Sequence, residues 1–266
     1  MRNLRLRIAY DGTDFFGWQR QPDRPTIQAV IEAALARRLA SPVSLTGSGR
    51  TDTGVHAAGQ IANFHTENSI PCRNLARALN DTLPLSIRIL EALEAPPAFH
   101  ARYDARAKVY RYRIFQASIC PPFLARFVHH CPRHLDYARM RKAARLIEGR
   151  RDFTSFAGAE IELDRAPGSP SPRSKIRTVF SSRVIWRPRA SLLLYEVRGD
   201  GFLRHMVRNI AGTLIEIGNG QRSPTEISQL LEARNRSMAG PTAPARGLSL
   251  TKVEYEGDAL ERPCHA

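Results

Sequence analysis

An α+β fold built as two similar halves, each with mostly antiparallel strands, is what this 266-residue chain predicts. Three observations carry that expectation. Short stretches of period-two alternation recur along the chain, helical apolar stripes fall between them, and both halves repeat a similar order of elements. The length holds one large domain or two small ones around real cores. The first half is placed at residues 1–104, the second at 105–256, and a motif-free tail at 257–266.

The first half opens with Leu4, Leu6, Ile8 and Tyr10 alternating with Arg5 and Arg7, a half-buried strand with an arginine face. Asp11-Gly12 closes it as a turn. Pro25-Thr26 precedes Ile27, Val30, Ile31, Ala34 and Leu35 at helical spacing, so a helix starts there. Strands are expected at 43–46 and 60–65, then a helix over 73–81 and a strand over 86–93.

The second half begins with alternating aromatics and arginines over 108–115. A helix over 137–147 carries Met140, Ala143, Ala144 and Ile147 on one face and arginines on the other. Strands are expected over 178–186 and 192–198, divided by Arg187-Pro188-Arg189. Leu203, Val207, Ile210, Leu214 and Ile217 form one stripe of a helix over 202–217. A short helix over 224–233 and a strand over 248–255 complete the half. The Pro/Ser-rich run 165–174 reads as a mobile loop.

Forty Lys and Arg against 25 Asp and Glu leave a formal net charge of +15, which favours a polyanionic partner. Arginine supplies most of it, and guanidinium suits phosphate forks and base stacking better than ammonium does. The four cysteines, Cys72, Cys120, Cys131 and Cys264, form no CxxC pair and give neither a zinc nor a disulfide framework. His129-His130-Cys131 with Cys120 reads as packing or surface, because adjacent residues of an extended segment point to opposite sides. No apolar signal core and no run of membrane-spanning length occur, so a soluble, cytoplasmic protein with no membrane role is expected.

The most informative segment is Gly49-Arg50-Thr51-Asp52-Thr53-Gly54-Val55-His56-Ala57. Gly, Asp and Thr at this density make a formed loop. It offers one acid, one cation two residues before it and no second acid nearby, the outfit of a nucleophilic carboxylate rather than of an acid/base pair. The same residues also suit an Asp that caps its own turn. Gly47-Ser48-Gly49-Arg50-Thr51 only mimics a phosphate loop, since GxxxxGK[ST] is absent, and no dinucleotide-binding glycine pattern occurs.

The words around Asp52 recur with others in a fixed order. They are Tyr10-Asp11-Gly12-Thr13 with Gly17-Trp18-Gln19-Arg20-Gln21, then the Asp52 segment, then Phe99-His100-Ala101-Arg102-Tyr103. Lys108-Val109-Tyr110-Arg111-Tyr112, Asp152-Phe153-Thr154-Ser155-Phe156, Phe202 to Ile210, and Ala243-Pro244-Ala245-Arg246-Gly247-Leu248 follow. With these blocks the chain, from Leu6 to about Tyr255, resembles the tRNA pseudouridine synthase A family. The resemblance implies a pseudouridine-synthase fold, two α/β subdomains with joined sheets and a central catalytic cleft, assembled as a homodimer. It implies an isomerase that turns uridine into pseudouridine at positions 38, 39 and 40 of the tRNA anticodon stem-loop, with no cofactor and no metal.

Residue by residue, the resemblance makes Asp52 the nucleophile and pairs it with Arg208, the Arg of Met206-Val207-Arg208. Tyr110 and Tyr112 share a strand face and the pattern alone does not choose between them; the family puts Tyr110 over the target uracil. Leu248 matches a position that lines the uracil pocket. Arg50, two residues from Asp52, suits a side chain that fills the space of a flipped nucleotide and holds phosphate. Arg20 and Arg102, with Arg5, Arg7 and Arg111, are further candidates for contacts to the RNA backbone. Two other readings stand beside this one: a relative acting on other RNA uridines, and a basic RNA-binding protein without chemistry. The second would need the charge but not Asp52, Tyr110 and Arg208 together.

Overall fold

The computed structural model of the chain describes residues 1–159 and 174–257. They form two compact units, Met1–Lys108 with the chain from Leu250 onward, and Val109–Ser249. The boundary thus falls at Lys108/Val109, where the sequence suggested 104/105, and most of the last strand groups with the first unit. The loop expected at 165–174 lies outside the described residues as far as 173, and so does the tail after Gly257.

In the first unit β1 (Arg2–Tyr10) lies between β3 (His56–Thr66) and β4 (Ile87–Ala95), antiparallel to both. Leu4, Leu6 and Ile8 are fully buried on one face while Arg5 and Arg7 take the other, as the alternation predicts. α1 (Ile27–Leu39) starts where the Thr26 side chain accepts the Ala29 N–H at 3.4 Å. Ile27, Ile31 and Leu35 are buried along it, each worth about 1.5–3 kcal/mol. α2 (Cys72–Asn80) packs on β4.

The strand expected at 43–46 is only β2 (Thr46–Gly47), paired with β3. The cause is a buried acid on α1. Glu32 Oε1 accepts the Leu45 N–H at 2.8 Å and Gln28 Nε2 donates to Leu45 O at 2.9 Å. Both backbone groups of Leu45 are therefore spent on side chains and cannot join a ladder. β3 in turn starts at His56, earlier than expected, so the Asp52 loop is shorter than its sequence suggested.

In the second unit the strand order is β5 (Ala107–Phe115), β9 (Leu192–Gly199), β8 (Ile176–Arg187) and β7 (Gly149–Asp152). β6 (His129–His130) adds a short parallel pairing to β5. A four-residue helix, α3 (Pro122–Ala125), precedes β6. α4 (Tyr137–Arg145), capped by Asp136, packs Met140, Ala143 and Ala144 against β8 and against α5 (Met206–Gly218). α6 (Glu226–Ala233) follows, and β10 (Leu248–Glu254) ends the fold.

One helix start is corrected. α5 begins at Met206 and not at 202, because His205 has φ +58° and the Met206 N–H closes a turn on Leu203 O at 3.1 Å. Arg204 is drawn away: its backbone O accepts the Gly158 N–H at 2.8 Å and its guanidinium donates to Ala159 O at 2.9 Å. Arg204 and Arg208 therefore do not share a helix face, and Leu203 does not belong to the buried stripe of Val207, Ile210, Leu214 and Ile217.

Candidate active site

In the first unit the loop between β2 and β3 presents Asp52, half-buried, with Arg50 exposed and Thr51 buried between them. Close backbone packing gives the loop its shape. Gly17 has φ +84°, and a Cβ there would stand 2.6 Å from Thr51 O and 3.2 Å from the Asp52 carbonyl carbon. A Cβ on Gly12 would stand 2.0 Å from Val55 O. No residue but glycine fits either position without moving the loop. The gap so closed is bridged by the Trp18 N–H, which donates to Thr51 O at 3.0 Å, and the Val55 N–H closes the turn on Asp52 O at 3.1 Å.

Buried polar side chains complete the support. Tyr10 Oη lies 2.8 Å from Thr51 Oγ1. Burial pushes the Tyr10 hydroxyl well above its ordinary pKa, against the pull of Thr51 and Gln60, so it stays a neutral hydrogen-bonding group. Gln60 Nε2 donates to Gly49 O at 2.8 Å while its Oε1 accepts from Ser48 Oγ at 2.6 Å. The Trp18 ring fills the space beside Gly47, where a Cβ would approach it within 2.6 Å. The Lys108 ammonium lies against Gly49, 3.3 Å from where a Cβ would be. Lys108, Trp18 and Tyr10 stand within the recurring sequence words, where neither spacing nor residue type marks this supporting role.

The basic side chains of this unit differ in how far they are engaged. Arg50 Nε donates to Gln19 Oε1 at 3.0 Å at the surface. Arg20 forms an ion pair with the buried Glu32. Arg7 faces Glu91 at 3.8 Å, and the Arg5 guanidinium sits 5.0 Å over the Tyr255 ring. Arg102 is exposed.

The second unit holds Tyr110, Arg208 and Leu248. Tyr110 and Tyr112 share a face of β5, but their surroundings differ. Tyr110, 7% exposed, meets the Phe202 ring edge-on at 5.2 Å. Tyr112 is fully buried, donates its hydroxyl to Pro244 O at 2.9 Å and lies so close over Gly247 that a Cβ there would reach 2.7 Å from the ring. Burial raises the Tyr112 pKa, against the opposing fields of Arg208 and Arg246. Arg208 stands in the first turn of α5. Its Nε donates to Ala243 O at 2.8 Å, and the Ala243 N–H returns a bond to Arg208 O at 3.1 Å. Leu248, 5% exposed, begins β10. Among the described residues no three His, Cys, Asp or Glu side chains are grouped to hold a metal ion, and no helix is long and apolar enough to cross a membrane.

A sequence profile described as tRNA pseudouridine synthase matches residues 7–104 and 143–256. The tRNA pseudouridine synthase A of Solibacter usitatus (strain Ellin6076) is 48% identical over 255 residues, 96% of this chain and 100% of that protein. That of Halalkalibacterium halodurans is 41% identical over 270 residues, 99% of this chain and 98% of its own. The tRNA pseudouridine synthase A 1 of Desulfotalea psychrophila is 42% identical over 255 residues, 96% and 100%. With kinship along nearly the whole chain, this protein belongs to the tRNA pseudouridine synthase family.

Proposed function

We propose that this protein isomerises uridine to pseudouridine in tRNA, at positions 38, 39 and 40 of the anticodon stem-loop. The observation that carries the reading is near-full-length kinship to proteins of that name, 48% identical over 255 residues in one case. In the reaction the C1′–N1 bond breaks, the base turns while held, and C5 bonds to C1′. The C5 hydrogen leaves and N1 takes one up. No electrons and no group enter, so neither cofactor nor metal is required.

Asp52 is the nucleophile, attacking C6 of the base or C1′ of the sugar. A carboxylate in a closed site tends to be neutralised by desolvation, and pairing with Arg208 keeps it ionised. Tyr110 stacks on the freed uracil, a contact worth about 1–3 kcal/mol, and Leu248 lines the same pocket. Arg50 occupies the place of the flipped nucleotide, offsetting a cost of a few kcal/mol. Arg102 and Arg20 hold the RNA backbone, with Arg20 shared between phosphate and Glu32. The net charge of +15 supports a polyanionic substrate and makes binding salt-sensitive. The protein works as a cytoplasmic homodimer.

The test uses tRNA labelled with tritium at uridine C5, which must be released as the new bond forms. Wild type should release it in one equivalent per modified site. Asp52→Asn keeps the shape without the charge, so it should bind tRNA and release none. Release at the wild-type rate from that variant would remove Asp52 as the nucleophile. Binding without release by the wild type would leave a non-catalytic RNA-binding protein.

A further inference from the structure

In the second unit one carbonyl, Ala243 O, holds Arg208 Nε, and a part-buried polar network converges on the segment that carries it. Arg236 Nη1 donates to Gly240 O at 3.0 Å, and its Nη2 donates to Asn209 Oδ1 at 3.1 Å and Thr242 Oγ1 at 3.2 Å. The Thr242 hydroxyl donates in turn to Asn209 Oδ1 at 2.6 Å. Asn209, fully buried on α5, is anchored through Nδ2 to Phe156 O at 2.7 Å. The Gly240 N–H donates to Thr213 Oγ1 at 3.0 Å. A Cβ on Gly212 would stand 1.8 Å from Pro241 O, so the segment lies directly on the helix. On the other side of Ala243, the Tyr112 hydroxyl holds Pro244 O.

From this convergence we infer that Arg236 and Thr242 are positioning residues that set the direction of the Arg208 guanidinium, an inference that rests on Arg208 acting as the partner of Asp52. A guanidinium is planar, so fixing Nε fixes the plane of its four remaining N–H donors. An ion pair that must keep a nucleophile charged and aligned depends on that plane. Arg208 stands in the first turn of α5, and its backbone is held there by the helix whatever its side chain does. The Ala243 carbonyl, carried by the segment 236–244, holds the side chain at Nε. The bonds of Arg236 and Thr242 fix the residues immediately before Ala243, whose carbonyl holds Arg208 Nε.

The experiment compares Thr242→Val, which keeps the shape and loses the hydroxyl, with Thr242→Ser, which restores it. Single-turnover tritium release at saturating enzyme should fall at least tenfold in Thr242→Val, with tRNA Kd within twofold of wild type and near-complete recovery in Thr242→Ser. In an Arg208→Met background the same substitution should change the rate less than twofold, because the group it positions is gone. A folded Thr242→Val variant with a wild-type rate, or one whose loss is undiminished on Arg208→Met, overturns the inference. Independently of activity, hydrogen exchange at the Arg208 Nε–H, read by nitrogen-15 NMR, should speed up at least tenfold in Thr242→Val. Unchanged exchange also overturns it. Absence of release by the wild type sinks the functional reading instead, and the exchange measurement still decides the positioning. Arg236→Gln serves as the second variant should Thr242→Val not fold.

Discussion

The surroundings of Asp52 and of Arg208 are built by opposite means. Around Asp52 the chain closes on itself where side chains are missing: Gly12 and Gly17 let backbones touch, and the Trp18 and Val55 N–H groups tie the loop. Around Arg208 the restraint comes from side chains that are present, with Arg236, Thr242, Asn209 and Thr213 fixing one segment. The first device fails when atoms are added and the second when polar atoms are removed. A loop shaped by close contact leaves no room for an added methyl at Gly12 or Gly17. A hydrogen-bonded strap instead holds its segment only as long as each polar partner is present.

The sharpest way to break that contrast is Gly17→Ala. The new methyl would meet Thr51 O at 2.6 Å from a residue with φ +84°, so both overpacking and backbone strain apply. The expected loss is about 2–4 kcal/mol in urea unfolding, with activity gone even where the fold persists. Gly12→Ala has the steric conflict with Val55 O without a left-handed backbone, and so separates the two contributions. A Gly17→Ala protein of wild-type stability and rate would mean that the loop is compliant after all.

The next effect concerns access rather than shape. Arg50 is exposed, and its bond to Gln19 lies at the surface, so its removal should leave the fold intact. If it fills the place of a flipped nucleotide, Arg50→Ala should slow reaction at a stacked stem uridine about tenfold more than at one already in a loop. Single-turnover rates per target position measure this, and equal losses at both would return Arg50 to general phosphate binding.

How much of this was legible before any coordinates follows the same contrast. Strands and helices with strict periodicity, such as β1 and α1, stand where Leu4, Leu6, Ile8, Ile27 and Ile31 put them. Their signal is local, and burial of one face enforces it. The family resemblance also singles out Asp52, Tyr110 and Arg208 and implies their tasks, which the proposed function adopts. The misses share another cause. Leu45 leaves its strand because Glu32, thirteen residues away, takes its N–H. α5 starts late because His205 turns left-handed while Arg204 is engaged by Gly158 and Ala159. The clamp on residues 236–244 is invisible for the same reason, since Arg236, Asn209 and Thr242 form no pattern along the chain. Side-chain bonds to distant backbone leave no period to read.

A smaller effect tests the strap from its far side. Tyr112→Phe keeps the ring over Gly247 and deletes the bond to Pro244 O. The loss should be about 1 kcal/mol of stability. Because Ala243 remains clamped from the Arg236 side, the rate should change less than in Thr242→Val. A larger kinetic loss in Tyr112→Phe would shift the positioning role to Tyr112.

The smallest effect is a pH dependence. His129 on β6 is partly buried, 6.3 Å from the Tyr112 ring centroid, and its Nδ1 has no hydrogen-bond partner among the described residues. Burial lowers its pKa below the ordinary value, and the charges of Arg246 and His130 push the same way. The native state therefore holds His129 neutral, whereas the unfolded chain takes up a proton as pH falls below about 6.5. The unfolded state then binds more protons, so stability falls as pH drops through that value and keeps falling until the native pKa is reached. Above it the group contributes no pH dependence. His129→Phe keeps a ring against Tyr112 and removes the titration, so its unfolding free energy should decline less than that of wild type between pH 7.5 and 5.5. Parallel curves for the two proteins would show that His129 titrates alike folded and unfolded. The pocket between His129 and Tyr112 would then be open to protons in the folded state.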